Sequence, residues 1–424
     1  MGIFVFSDSQ EKIDASFRFL LISRSARSIS LIFVTLAFSL YLSKLGYGVV
    51  FIGLIFIPII LFNMVFSVIL GVLGDRIGYS RALIVGEVLP LIGLAGLAVS
   101  TNIYVIATSA IITGITGTAG GMRGAFSPGT TAFVASNWPD EINRVHRIAR
   151  MSVVASLSSI VGSLFLVSHG YLTPYFGTIG TFRFLFGISF AILFVSFISL
   201  LFLKERKRPK KTSRVMKKES LSYLLRVLWP NLINGAAIGM FSPLLPLWFE
   251  LRFHISVSSV GDVFTVAYAA TALGSYISGR YLNSVSIRAI TVSSVTRLFQ
   301  GLILVLMAFS PLGIIAFGLY AVRSTVAGMG MPMRTAINVR GIGNEDYGTA
   351  SSIQGVATRA SQSTSGISGY LMDAYLPSTL FIGGALQIIG AAVYYSVIRS
   401  WEKQREAVDD NGIAGKDEIP PVEK

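Results

Sequence analysis

The sequence contains no cysteine, which excludes disulfides, thiolate metal centres and cysteine nucleophiles. Its three histidines, His146, His169 and His254, are scattered and form no ligand cluster, so no metal site is expected. Charge is also scarce: 13% of the 424 residues are Asp, Glu, Lys or Arg, about half the share in a soluble domain. No P-loop, HExxH pair or nucleophile elbow is present, and Gly328-Met329-Gly330 lacks the preceding strand of a dinucleotide motif. The chain is therefore expected to be no enzyme, to bind no cofactor and to run no ATP-driven step. The amino terminus has no basic segment followed by an apolar core and small-residue cleavage site, so it does not read as a cleaved signal peptide. Phe6 stands where a myristoylation signal needs Ser or Thr.

What the sequence has in abundance is apolar length, with 53% hydrophobic residues. Stretches long enough to cross hydrocarbon as helices recur at 18–42, 48–71, 82–100, 103–127, 150–169 and 182–203. Six more follow at 223–249, 256–279, 287–309, 312–333, 347–371 and 377–399. A membrane β-barrel would instead alternate in segments of about ten residues. The expected fold is an all-α polytopic membrane protein with twelve transmembrane helices in two pseudo-symmetric six-helix bundles.

The net charge of +14 punctuates hydrophobic runs rather than forming a patch on a soluble domain, so it reads as topology and not as nucleic-acid binding. With the amino terminus inside, the inside loops collect 18 Lys and Arg, nine of them in 204–219, against Lys44 and Arg252 outside. This excess places both termini in the cytoplasm. Domain boundaries follow: a first bundle over 1–203, a basic linker KERKRPKKTSRVMKKE over 204–219, a second bundle over 220–400, and a tail over 401–424 that lacks apolar periodicity and reads as disordered. The linker anchors topology or docks on anionic lipid headgroups. Adding 204 to first-half positions pairs Arg76 with Arg280, Gly124 with Gly328, Pro128 with Pro332, Gly162 with Gly366 and Tyr171 with Tyr375. A constant offset over so many Gly and Pro positions reads as two parallel repeats.

Between spans two and three lies Gly71-Val72-Leu73-Gly74-Asp75-Arg76-Ile77-Gly78-Tyr79-Ser80-Arg81. This segment resembles the cytoplasmic signature of the major facilitator superfamily, G-x-x-x-D-R-x-G followed by basic residues. Gly71 would let backbones approach and Gly78 would permit the tight turn. The resemblance implies that Asp75, with Arg76 and Arg81, latches the two halves in the outward-open state; Tyr79 and Ser80 depart from the family's basic residues. The alternative is that Asp75 and Arg76 merely cap a hairpin. The Gly-rich fourth span, Gly120 to Pro128, and the acid-to-Arg loop with Glu141 and Arg144 resemble the same family. Phe133 replaces the Glu of sugar porters, and 158–163 does not supply the fifth-span motif of drug/proton antiporters.

Charged residues deep in hydrocarbon normally face a cavity or a partner. Arg123, Arg323 and Arg359 lie near mid-helix in spans four, ten and eleven. In the family's fold, spans one, four, seven and ten line the cavity, which implies that Arg123 and Arg323 face each other across it. Such a pair suits a carboxylate, phosphate or sulfonate; the alternative for each Arg is a structural ion pair or inter-helix hydrogen bond. Asn231 and Asn234 share a face of span seven and are candidates for substrate or inter-helix hydrogen bonds. Span eleven, with Ser351, Gln354, Thr358, Ser361 and Ser365 on one stripe and Ser352, Arg359 and Gln362 beside it, either faces water or packs tightly against a helix. Glu87 and Asp262 are the candidate proton-coupling carboxylates, with an ion pair to a nearby Arg as the alternative for Glu87. Arg24, Arg27 and Arg297 read as snorkelling or paired groups rather than ligands.

The expected function is secondary transport of a small, anionic solute by alternating access in the cytoplasmic membrane, by a monomer that uses protons as the coupling ion. Two rivals are efflux of lipophilic compounds and a non-transporting receptor or lipid scramblase.

Overall fold

The computed structural model describes residues 2–115, 127–138, 141–205, 216–278, 289–342 and 346–414. Among them are fourteen α-helices and no strand. These are α1 (Gly2–Lys44), α2 (Val49–Ile77), α3 (Tyr79–Val99), α4 (Ile103–Thr113), α5 (Ser127–Asn137), α6 (Glu141–Leu201) and α7 (Lys218–Phe241). They continue with α8 (Leu245–Phe253), α9 (Val257–Ile277), α10 (Ala289–Ala308), α11 (Gly313–Arg340), α12 (Tyr347–Ser361), α13 (Ser365–Ala374) and α14 (Ser378–Ala414). Nine described helices are long and apolar enough to cross a membrane.

The helices are built inside out relative to those of a soluble protein. On α10 the exposed residues Val295, Leu298, Phe299, Leu302 and Leu306 form one helical stripe, while Ser293, Ser294, Thr296, Arg297 and Gln300 are buried. An apolar exterior suits hydrocarbon, and polar side chains then have to satisfy one another inside.

The described helices follow the order of twelve passes, span four being described only at its ends, α4 and α5. Spans five and six are the two arms of α6, which meet without an intervening loop at Gly177, where φ of +68° and ψ of +167° break the helix. Span seven is completed by α8, which follows Phe241 after a short turn and has Pro246 in its first turn. Span eleven breaks between α12 and α13 at a 3-10 turn, Gln362–Thr364. Helix α14 differs from the expected disordered tail, continuing to Ala414. Its extension is held by packing that no periodicity reveals: Trp401 lies 4.5 Å from the Tyr223 ring, and Arg340 donates to Glu402 at 2.6 Å.

Within the first half, α1 and α3 pack on α6; within the second, α14 packs on α7 and α10, and α9 on α11. Two larger seams join the halves, α6 against α9 and α2 against α12 and α13. The 204-residue offset carries α2 onto α9 and the first arm of α6 onto α12 and α13, so the seams are copies of each other. Gly–Gly contact makes one seam close: a Cβ on Gly53 would stand 2.6 Å from Gly369 Cα.

Candidate functional site

Each half encloses a polar interior. In the first, Arg27 of α1 and Glu87 of α3 form an ion pair, both nearly inaccessible, and Ser196 of α6 donates to the same carboxylate. Ser23 and Ser196 share a hydrogen bond of 2.8 Å. Ser23, Arg24 and Arg27 line a small crevice with Leu20 and Thr130. Glu87 is thus held by one cation and one hydroxyl, and the Arg27 charge is neutralised locally.

The second half is different. Arg297 of α10 donates to Asn231 Oδ1 at 2.8 Å and stacks over the Tyr394 ring at 4.2 Å. Asn231 donates in turn to Asn338 at 3.2 Å, whose backbone carbonyl accepts from Gln354 at 3.0 Å. Arg323 of α11 donates to Gln387 Oε1 at 3.3 Å, lies 4.6 Å from the Phe241 ring, and reaches Asn234 through Gln387. Arg297 is 3% exposed and Arg323 7%, so both are enclosed, and both have neutral hydrogen-bond partners.

Arg334 was not among the sequence candidates, because it closes an apolar run and reads as a loop charge. The structure instead places it within α11, which continues to Arg340. Its side chain turns back along the helix, and Nη2 donates to Ala327 O at 3.1 Å, following the tilt of helical side chains toward the amino terminus. Gly330 leaves the room: a Cβ there would meet Thr296 Oγ1 and stand 3.2 Å from Arg334 Nη1. Arg297, expected to snorkel or pair, is likewise buried in this cluster. The signal for both was the shortage of acids in the second half.

Of the other expected residues, Arg359 is half-buried on α12 and Gln362 is buried in the turn that breaks span eleven. Polar residues of that span pack on α7: Thr364 donates to Ala236 O at 2.8 Å, and Ser368 to Met240 O. Asp262 is exposed on α9. Arg123 lies outside the described residues, as do the side chains of Asp75, Glu141 and Arg144. Arg76 and Arg81 are exposed. Gly78 adopts φ +97°, a conformation that favours glycine. The expected close approach at Gly71 is absent in this conformation, since a Cβ there would meet nothing within 4 Å. The turn is closed by Glu205, whose carboxylate accepts from Ser80 N at 2.9 Å, an acid at the start of a helix.

The halves are fastened at the face opposite the linker. Lys44 at the end of α1 pairs with the buried Glu250 of α8. Gly170 N donates to Ser258 Oγ at 2.7 Å, and Thr265 to Ser163 at 2.9 Å.

Solved structures share this architecture. The POT family transporter PepTSo superimposes with a TM-score of 0.73 at 13% identity, over 92% of this chain and 99% of that one. A bacterial homolog of the human lysosomal transporter Spinster, inward-facing and occupied, gives 0.67 at 14% identity over 92% and 98%. The human organic anion transporter MFSD10 gives 0.64 at 15% identity over 89% and 99%. No curated protein matches the sequence. A sequence model of the Major Facilitator Superfamily matches residues 20–365, and on that match and the twelve-pass helical architecture this chain belongs to the major facilitator superfamily.

Proposed function

We propose that this integral membrane protein is a secondary active transporter of a small anionic solute, working by alternating access in the cytoplasmic membrane. The observation that carries the anionic reading is Arg323, enclosed near the middle of α11 with the amide of Gln387 as its hydrogen-bond partner among the described residues. A guanidinium cannot escape burial by losing its proton, and its planar fork matches a carboxylate or phosphate. Asn234 and Asn231 supply neutral donors and acceptors on the neighbouring α7. The organic anion transporter among the structural neighbours is a precedent for such cargo on this architecture.

In this reading the Lys44–Glu250 pair and the Gly53–Gly369 contact seal the outer face, and rocking of the halves exposes the site to each side in turn. Arg27–Glu87 makes Glu87 the candidate for proton coupling, since protonating the carboxylate releases Arg27. Asp75, Arg76, Arg81, Glu141 and Arg144 act as the inner-face latch, and Asp262, Arg123, Arg359 and Gln362 remain substrate or coupling candidates.

The test is uptake of radiolabelled anions into proteoliposomes, with and without a pH gradient. Concentrative or exchange uptake of an organic or inorganic anion, lost in Arg323→Gln at unchanged protein abundance, is the expected result. Uptake or export confined to neutral lipophilic compounds would replace this reading with lipophile efflux.

A further inference from the structure

Arg334 stands close to both Arg297 and Arg323. Its guanidinium lies level with Ala327, about 6 Å along the helix axis from the backbone of Arg323. It also flanks Thr296, the neighbour of Arg297. Arg297 and Arg323 reach partners on α7 and α14, so three positive charges gather where α10 and α11 meet α7 and α14. Every acid of this half whose side chain is described is engaged elsewhere or exposed: Glu250 pairs with Lys44, and Glu402 with Arg340 and Arg399. Asp346 accepts from Lys217 N at 3.1 Å, while Glu219, Asp262 and Asp373 are exposed. Nε and Nη1 of Arg297 and Nε of Arg323 are buried with no acceptor among the described residues.

We infer that Arg297, Arg323 and Arg334 form one binding site for a solute bearing two or more negative charges, either a phosphate ester or a compound with several carboxylates. The inference rests on the anion-transport reading above and names its substrate class. Uncompensated buried charge is costly, and a monovalent anion would leave two of the three charges unanswered. Guanidinium forks with unused N–H groups bind such oxyanions in pairs of parallel hydrogen bonds. Asn231 and Gln387 hold the forks of Arg297 and Arg323 from behind without neutralising them. Arg334, half-buried, is the least enclosed of the three. In the other half Glu87 already neutralises Arg27.

The test is thermal unfolding of the purified full-length protein at constant ionic strength. The probes are citrate, succinate, inorganic phosphate and glucose 6-phosphate, against acetate and glucose. Stabilisation should follow valence, with citrate or glucose 6-phosphate effective at concentrations at least tenfold below acetate, and glucose inert. Separate responses to the carboxylates and to the phosphates distinguish the two chemistries. Arg297→Gln and Arg334→Gln should each weaken the effective anion tenfold or more. Arg334→Lys should recover part of it, and Arg183→Gln, remote from the site, should leave it unchanged. A response independent of valence in the unaltered protein overturns the inference without any variant having to fold, as does one that survives Arg297→Gln and Arg334→Gln together. Valence-dependent binding without transport in liposomes would sink the transport reading and leave the site; transport of only neutral or monovalent solutes would sink the site and leave the transporter.

Discussion

Two buried arginines, both assigned from the sequence to snorkelling or pairing, show how much a single partner changes. Arg27 meets Glu87, while Arg297 meets only the amide of Asn231 and the ring of Tyr394. Breaking a buried pair from one side leaves an uncompensated charge, which costs about 3–5 kcal/mol. Glu87→Gln should therefore lower the unfolding temperature sharply, and Arg27→Gln combined with Glu87→Gln should recover most of the loss. Thermal unfolding of the three variants in one detergent checks this, and a Glu87→Gln protein as stable as the parent would show that Arg27 does not depend on the pair. The sequence showed that Glu87 had arginines available but not which one, because α1 and α3 meet only in the folded bundle. Arg334 was misplaced for a related reason. A charge at the end of an apolar run looks like a loop residue unless a glycine one turn earlier makes space for it to fold back.

At the scale of elements, span boundaries were legible because hydrocarbon demands about twenty apolar residues per helix. Breaks within spans were not. The abrupt reversal between spans five and six at Gly177 and the turn at Gln362–Thr364 have no loop-like stretch of sequence to announce them. The polar stripe of span eleven, read as water-facing or tightly packed, sets Thr358 and Ser361 against Gly235 of α7, and Thr364 and Ser368 beyond it donate to carbonyls of α7, while Arg359 and Ser352 on the same span retain exposure. The seam between α2 and α13 depends on small residues, as helix contacts in membranes generally do. Leucine at Gly369 would push against Val49 O and the Gly53 backbone, all within 3.1 Å of an added Cβ. Gly369→Leu should hold the outer face apart and shift the population toward the outward-open state. Spin-label distances between the ends of α2 and α13 should lengthen, and unchanged distributions would mean that this seam does not govern closure.

For the whole molecule, the loop charge count predicts both termini and residues 204–219 on the cytoplasmic side. The absence of native cysteine makes this directly testable. Single cysteines placed in 204–219 should resist an impermeant thiol reagent in intact cells and react after permeabilisation, while one at Asn102, between α3 and α4, should react in both. Labelling of the linker in intact cells would invert the topology and with it the assignment of the sealed face.

Composition, apolar run length and the repeat at a constant offset were sufficient for the class of fold, because a bilayer tolerates few solutions for an uninterrupted apolar chain. The signature around Gly71 to Arg81 and the charge distribution then pointed to a superfamily of transporters. Which arginine is neutralised and which is not was decided by tertiary structure alone. Acids and bases far apart in sequence become partners only when helices pack, and the second half packs its described carboxylates at its ends or on its surface. The cluster of Arg297, Arg323 and Arg334 exists because α10 and α11 lie side by side and Gly330 leaves room between them, a relation written in no single stretch of the chain.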